Sequence, residues 1–189
     1  FMNIVIFGPP GAGKGTQADF MVNKYNLYKL STGEVLRNEI KNKTKLGEEI
    51  SSIINSGSLV SDDIVEKLVE TFIVDKKYKD RLIFDGYPRN LTQAKTLSEL
   101  LSKYDQKINL VLKLTVSLDT IKKRISERLS LEKRLDDNSK IAVKRYETYE
   151  KSTEPVIEYY KKMNILKVID GERSIDQINK EISDLIGVI

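Results

Sequence analysis

The chain has 189 residues, with 32 Lys and Arg against 28 Asp and Glu for a net charge of +4, and it contains no His, Cys or Trp. That length suits one domain whose folding hides roughly 70% of the unfolded surface. The missing residue types exclude disulfides, thiolate metal sites, a Cys nucleophile and any imidazole acid or base, which leaves Lys, Arg, carboxylates, hydroxyls, backbone amides and a hard metal ion to carry chemistry.

Residues 2–7 are a continuous apolar run that leads straight into Gly8-Pro9-Pro10. With no basic leader in front of it, this run reads as a strand rather than a signal peptide, and the expected location is the cytoplasm. A helical pattern covers 16–25 after the glycine-rich turn, and further short strands are predicted at 27–30, 81–84, 108–114 and 165–169. Helices are predicted at 64–74, 91–104, 118–129, 138–163 and 174–186, the first with Ser61 as its N-cap ahead of Asp62 and Asp63. Residues 32–59 form a helical excursion between the second and third strands that is longer than a crossover needs, as a mobile flap would be. Five β-runs separated by helices predict an α/β fold, a five-stranded parallel sheet with helices on both faces in a three-layer sandwich. The apolar stretches are short and broken by charge, as Lys113 breaks 108–116, so no membrane span is expected.

Gly8-Pro9-Pro10-Gly11-Ala12-Gly13-Lys14-Gly15-Thr16 fits the phosphate-loop pattern G-x-x-x-x-G-K in its required place, after a strand and before a helix. Glycines let successive backbone N–H groups curl around phosphate oxygens, and the helix that follows adds its positive end. Gly11, Ala12, Gly13, Lys14, Gly15 and Thr16 are therefore candidates to hold a nucleotide's phosphates, with Lys14 as a mobile charge for the β- and γ-phosphates. The generic motif has Ser or Thr directly after Lys; here Gly15 stands there and Thr16 follows.

Further motifs appear in order. They are Ser31-Thr32-Gly33-Glu34-Val35-Leu36-Arg37, Gly57-Ser58-Leu59-Val60-Ser61-Asp62, Asp85-Gly86-Tyr87-Pro88-Arg89 with Gln93, then Arg124, Arg128, Arg134-Leu135-Asp136-Asp137, Arg145 and Asp170-Gly171. Together with the variant phosphate loop, this series resembles the nucleoside monophosphate kinase family, the adenylate kinases above all, over residues 2 to about 175. A kinase of this kind gathers many phosphate oxygens, and its loose transition state needs positioning and charge stabilisation more than covalent help. Arginine suits that task because its planar fork binds phosphate bidentately and stays charged. The resemblance implies catalytic roles for Lys14, Arg89, Arg124, Arg128, Arg134 and Arg145. It implies Mg²⁺ bound with ATP largely through waters, near Asp85 with Asp137 as a second acid, and no zinc. A monophosphate acceptor is largely ionised at neutral pH, its second pKa being about 6, so the lack of His is consistent with attack that needs no base.

The resemblance also bears on the bases. It places Thr32, Gly33, Arg37, Leu59, Val60, Gly86, Arg89, Gln93, Arg134 and Arg145 around AMP, with Thr32 and Gln93 facing adenine. A Gln amide offers a donor and an acceptor, which match adenine's N6 amino group and ring nitrogen. On the ATP side it implies Arg124 stacked on the base, Arg128 on phosphate and Arg173 at the rim, with Ile175 either beside it or in the core of the last helix. Five residues separate Arg128 from Arg134, so the resemblance is to the short-lid form, although Leu129 and Lys133 stand where glycines are usual.

The expected organisation is one phosphate-loop kinase domain over 1–189, with a monophosphate-binding flap at 31–60 and a short lid at 128–138 as mobile parts. The implied function is reversible transfer from MgATP to AMP giving two ADP by a monomer, with neither nucleic acid nor membrane as partner. A UMP/CMP or other monophosphate kinase is the alternative within the fold. A nucleotide-switch ATPase is the alternative outside it, and would leave 32–37 and 85–93 without a role. Residues 121–145 hold nine Lys and Arg against four acids, a net of +5, while the remainder carries −1. The positive excess therefore sits in the segment expected to close over polyphosphate.

Overall fold

Ile4–Phe7 has only apolar side chains, and as β1 all four are buried, as the middle strand of a covered sheet requires. The computed structural model describes residues 2–56, 60–132 and 139–189, and the side chains of these other than 128–132 and 139. In chain order the elements are β1, α1 (Lys14–Tyr25), β2 (Tyr28–Ser31), α2 (Thr32–Lys41), α3 (Lys45–Asn55), α4 (Asp62–Val74), β3 (Leu82–Asp85), α5 (Leu91–Lys103), β4 (Leu110–Thr115), α6 (Leu118–Glu132), α7 (Ser139–Lys162), β5 (Leu166–Asp170) and α8 (Ile175–Ile186). The strands form one parallel sheet in the order β2-β3-β1-β4-β5. This is the expected α/β architecture, with strand limits moved by one or two residues.

Alternation along the strands divides the interior. Ile4, Ile6, Leu112 and Leu114 face a core completed by Ala18 and Met21 of α1, Ile121 and Ile125 of α6, and Ile178, Ile182 and Ile186 of α8. Val5, Phe7, Phe84 and Val111 face the opposite core, with Val69 and Ile73 of α4, Leu97 and Leu101 of α5, and Val156 and Tyr160 of α7. Burying an aliphatic side chain of this size stabilises by about 1.5–3 kcal/mol. These two cores hold the sheet edges in a register that the site depends on.

At two places the structure adds to the expected elements. The excursion at 32–59 is not continuous: α2 stops at Lys41, Lys43 takes φ 52°, and Thr44 caps α3 by accepting from the Gly47 N–H at 2.9 Å. At Gly47 the helices approach so closely that a Cβ would fall 1.9 Å from the Glu39 carbonyl oxygen. The helix after β4 continues to Glu132 rather than 129. Residues 133–138 of the expected lid, with Arg134 and Asp137, lie outside the described residues, as do Leu59 and the side chain of Arg128.

At the amino end of the sheet a buried polar network joins four segments. Asn3 is fully buried; its Oδ1 accepts from the Leu82 N–H at 3.1 Å, and its Nδ2 donates to Gln106 Oε1 at 3.2 Å and to the Lys107 carbonyl at 3.1 Å. Gln106 in turn accepts from the Asp80 N–H at 3.1 Å and donates to the Ile73 carbonyl at 3.2 Å. Such a network is costly to break because its members lose water as well as partners. Asn3→Ala is expected to lower unfolding stability by about 2–3 kcal/mol. In a urea titration the midpoint should fall with little change in slope, and an unchanged midpoint would deny the network that weight.

Candidate active site

The site is built where three strands end. The pairs Ile6 with Asp85 and Ser31 with Asp85 set β1, β3 and β2 level, so the loops after them open side by side. The loop after β1 is the glycine-rich segment. Gly11 and Gly13 have φ of 87° and 88°, a left-handed conformation that L side chains rarely adopt. Gly13 is the N-cap of α1, where no side chain accepts from the first turn and no acid lies within it. By contrast α2, α3, α4, α5 and α8 start on Ser31, Thr44, Ser61, Asn90 and Ser174, each accepting from its own first turn. The uncapped start of α1 therefore presents backbone donors and a positive end to an outside anion.

Lys14 opens α1 and its Nζ lies 2.7 Å from Asp85 Oδ1 at the end of β3. Beyond Asp85, Gly86 takes φ 80° and its carbonyl accepts from Arg89 Nε at 2.9 Å. Thr32 is buried, with its hydroxyl 3.8 Å from where a Gly86 Cβ would stand. Arg37 Nη1 lies 3.2 Å from the Cβ position of Gly33, so the bare glycine makes room for the guanidinium. The Thr32–Arg37 and Asp85–Arg89 segments, 48 or more residues apart in sequence, are thus neighbours beside the phosphate loop.

A cleft of about 910 Å³ opens there. One wall is the loop from Gly8 to Thr16, another is Gly86, Pro88 and Arg89, and the third is α7 between Ile141 and Ser152, with Arg145 and Thr148. The spacing of these four residues is that of one helical face. Lys14, Arg89, Lys144 and Arg145 line this single space. Sequence motifs pointed to Lys14, Arg89 and Arg145; Lys144, Thr148 and Ser152 carry no motif, and helical periodicity was the only signal available for them.

Other expected residues serve first in bonds to their own chain. Arg124 spreads its fork between two carbonyls, Nη1 to Gly11 at 2.9 Å and Nη2 to Gly171 at 2.9 Å, and so ties the phosphate loop to the turn after β5. Arg173 pairs with Glu181 of α8. Ile175 is 58% exposed and is not a core residue of the last helix. Gln93 is buried; its Oε1 accepts from the Arg89 N–H at 2.7 Å and its Nε2 donates to Asp62 Oδ1 at 2.8 Å. Val60 is half-buried ahead of α4.

Asp85 and the exposed Thr16 offer hard oxygen donors of the kind Mg²⁺ prefers. Among the described residues no group of three or more Asp, Glu, His or Cys could hold a metal ion by itself. The donors present fit a Mg²⁺ ion carried in by a nucleotide and its waters, which needs few protein ligands.

Comparison with known proteins decides the family. The model of the family described as adenylate kinase matches residues 6–165. The chain belongs to the adenylate kinase family. It is 44% identical to the adenylate kinase of Pelagibacter ubique, with 99% of this chain and 100% of the relative covered, and 39% identical to that of Fusobacterium nucleatum, with 98% and 99% covered. The adenylate kinase of Caulobacter sp. strain K31 is 37% identical over 188 residues with both chains fully covered, whereas the Pelagibacter alignment runs over 213 positions. The latter relative therefore carries residues that this family member lacks.

Three phenols near the cleft, Tyr87, Tyr149 and Tyr160, have buried hydroxyl oxygens, and those of Tyr87 and Tyr160 have no hydrogen-bond partner among the described residues. Burial raises the pKa of all three, and the Glu66 and Asp62 carboxylates add to the effect at Tyr87. The unfolded chain would release these protons near pH 10, earlier than the folded one. Their contribution to stability is therefore full below that pH and is lost as pH rises above it. Three tyrosines should stay unionised in phenolate absorbance until the protein unfolds in alkali; ionisation of all nine tyrosines while the fold persists would contradict this.

Proposed function

We propose that this family member catalyses reversible phosphoryl transfer from MgATP to AMP, giving two ADP. The observation that carries the reading is the single cleft into which the uncapped phosphate loop, Arg89 of the β3 loop and Arg145 of α7 converge. In the forward direction an oxygen of the AMP phosphate forms a bond to the γ-phosphorus as the bond from that phosphorus to the bridging oxygen of ATP breaks, and ADP leaves with the electron pair. The acceptor oxygen is already ionised, so no proton has to be removed.

In this reading the loop from Gly11 to Thr16 holds the β- and γ-phosphates of the donor through Lys14 and its other amides, the Ala12 N–H being donated to the Pro9 carbonyl at 3.0 Å. Arg89 and Arg145 bridge acceptor and transferred group, where negative charge is spread over the most oxygens. Arg128 and Arg134 join them from the lid. Thr32, Gly33, Arg37, Leu59, Val60, Gly86 and Gln93 receive AMP. Arg124, whose guanidinium edge is held by two carbonyls, stacks on the donor base in this reading, and Arg173 lies at the rim. Asp85 and Asp137 would hold the waters of a bound Mg²⁺, which would supply positive charge to the phosphates.

The Lys14–Asp85 pair supports an ordering of charge. Without nucleotide the cation is balanced by the carboxylate at 2.7 Å; with MgATP each has a new counter-charge to meet. Residues 31–60 then act as the acceptor flap and 128–138 as the short lid, which exclude water that would otherwise take the phosphoryl group. The full-length Caulobacter alignment without added positions supports the short form. Every residue assigned comes from one chain, so the reading needs no second copy, and it makes the protein a cytoplasmic monomer. No helix of the described residues is long and apolar enough to cross a membrane.

A coupled assay with ATP and a panel of nucleoside monophosphates should show AMP as the preferred acceptor, and equal use of UMP or CMP would overturn the acceptor assignment. Lys14→Met should lower kcat by roughly 10²–10³-fold or more with the melting temperature nearly kept. Wild-type turnover in that variant would remove the phosphate loop from the mechanism.

A further inference from the structure

Gln93 and Asp62 form a pair that the phosphoryl-transfer reading leaves unexplained. Gln93 stands in the first turn of α5, where its N–H donates to the Asn90 side chain at 2.8 Å, so its backbone is pinned. Its side chain is only 7% exposed, and water therefore does little to average the direction of the amide. A Gln amide has two lone pairs and two N–H donors. The Arg89 N–H takes one lone pair at 2.7 Å and Asp62 Oδ1 takes one N–H at 2.8 Å. One acceptor and one donor remain.

We propose that Asp62 is a specificity-determining positioning residue, whose carboxylate fixes the polarity of the Gln93 amide so that the site accepts a 6-aminopurine and rejects a 6-oxopurine. This rests on the reading that Gln93 faces the acceptor base. Rotating the amide by half a turn would set its NH₂ against the Arg89 N–H and its oxygen against the Asp62 carboxylate, two repulsive contacts in place of two hydrogen bonds. Both partners therefore enforce one orientation, and of the two only Asp62 is a side chain that substitution can remove. In that orientation the remaining oxygen lone pair suits an N6 amino group and the remaining N–H suits an unprotonated N1. A 6-oxopurine offers O6 as acceptor and N1–H as donor, so each of its groups meets its like.

Asp62 also lies in the first turn of α4, where a carboxylate favours the helix. Asp63 beside it serves the same end, and loss of that effect would alter use of both purines alike. The ratio of the two is the readout a purely structural role would not move.

The test compares kcat/KM for AMP with that for inosine monophosphate, its 6-oxo counterpart, using the full chain and MgATP. Asp62→Leu should reduce the AMP preference by about tenfold, the scale of one hydrogen bond to a charged group. Asp62→Asn, whose side-chain oxygen still accepts, should keep the preference within about threefold of wild type. If Asp62→Leu does not fold by circular dichroism, Asp62→Ala, which likewise has no acceptor, replaces it with the same expectation. An unchanged preference in the folded variant overturns the proposal. Gln93→Leu separates the two layers. If it too leaves the preference unchanged, the base reading of Gln93 fails. If it lowers the preference while Asp62→Leu does not, the role of Asp62 alone fails.

Discussion

The register of β1 is the constraint on which the other features hang. Ile4, Val5 and Ile6 pair on both sides, with Ile6 opposite Asp85 on one neighbour and Leu112 on the other, and Phe7 pairs with Lys113 of β4. A parallel sheet sends every strand's carboxyl end to the same side, so this register alone determines which loops can meet. A slip of one residue would turn Ile4 and Ile6 into the opposite core and separate Lys14 from Asp85. The core and the site are therefore two results of one alignment.

Charge in the cleft is held in balance rather than simply accumulated. α1 keeps an uncapped positive end, Lys14 is met by Asp85, and Arg124 is met by two carbonyl dipoles. α7 supplies Lys144 and Arg145 from one half, while Val156 and Tyr160 anchor the other half in the core. Cations carried on a helix so anchored lose little freedom when an anion arrives, which is the benefit of preorganisation.

Much of this was legible in the sequence because it is local. The glycine loop is contiguous, the five strands are short apolar runs, and Ser61 marks a helix start by the chemistry of a hydroxyl cap. Ser31-Thr32-Gly33 and Asp85-Gly86 were legible as motifs, and their meeting follows from β2 lying beside β3. What could not be read depends on distance. Asn3 and Gln106 are 103 residues apart and have no signature until the sheet brings them together. The partners of Arg124 are backbone carbonyls, which every residue has, so no side chain announced them. The break between α2 and α3, where Thr44 caps α3, was not read from the sequence, and the clash that demands Gly47 exists only once the two helices are packed.

The Asn3 network lies at the end of the sheet away from the cleft, and the other terminus reaches that end too. α8 starts after β5 on the cleft side and runs back, so that Ser183 near its finish accepts from Lys24 at the finish of α1, at 3.0 Å. Met2, Tyr25 and Leu185 each pack against the same core. Both ends of the described chain therefore lie at the side of the sheet away from the cleft. Attachment to a surface, or fusion to another protein through either end, would hold the enzyme with its cleft facing outward.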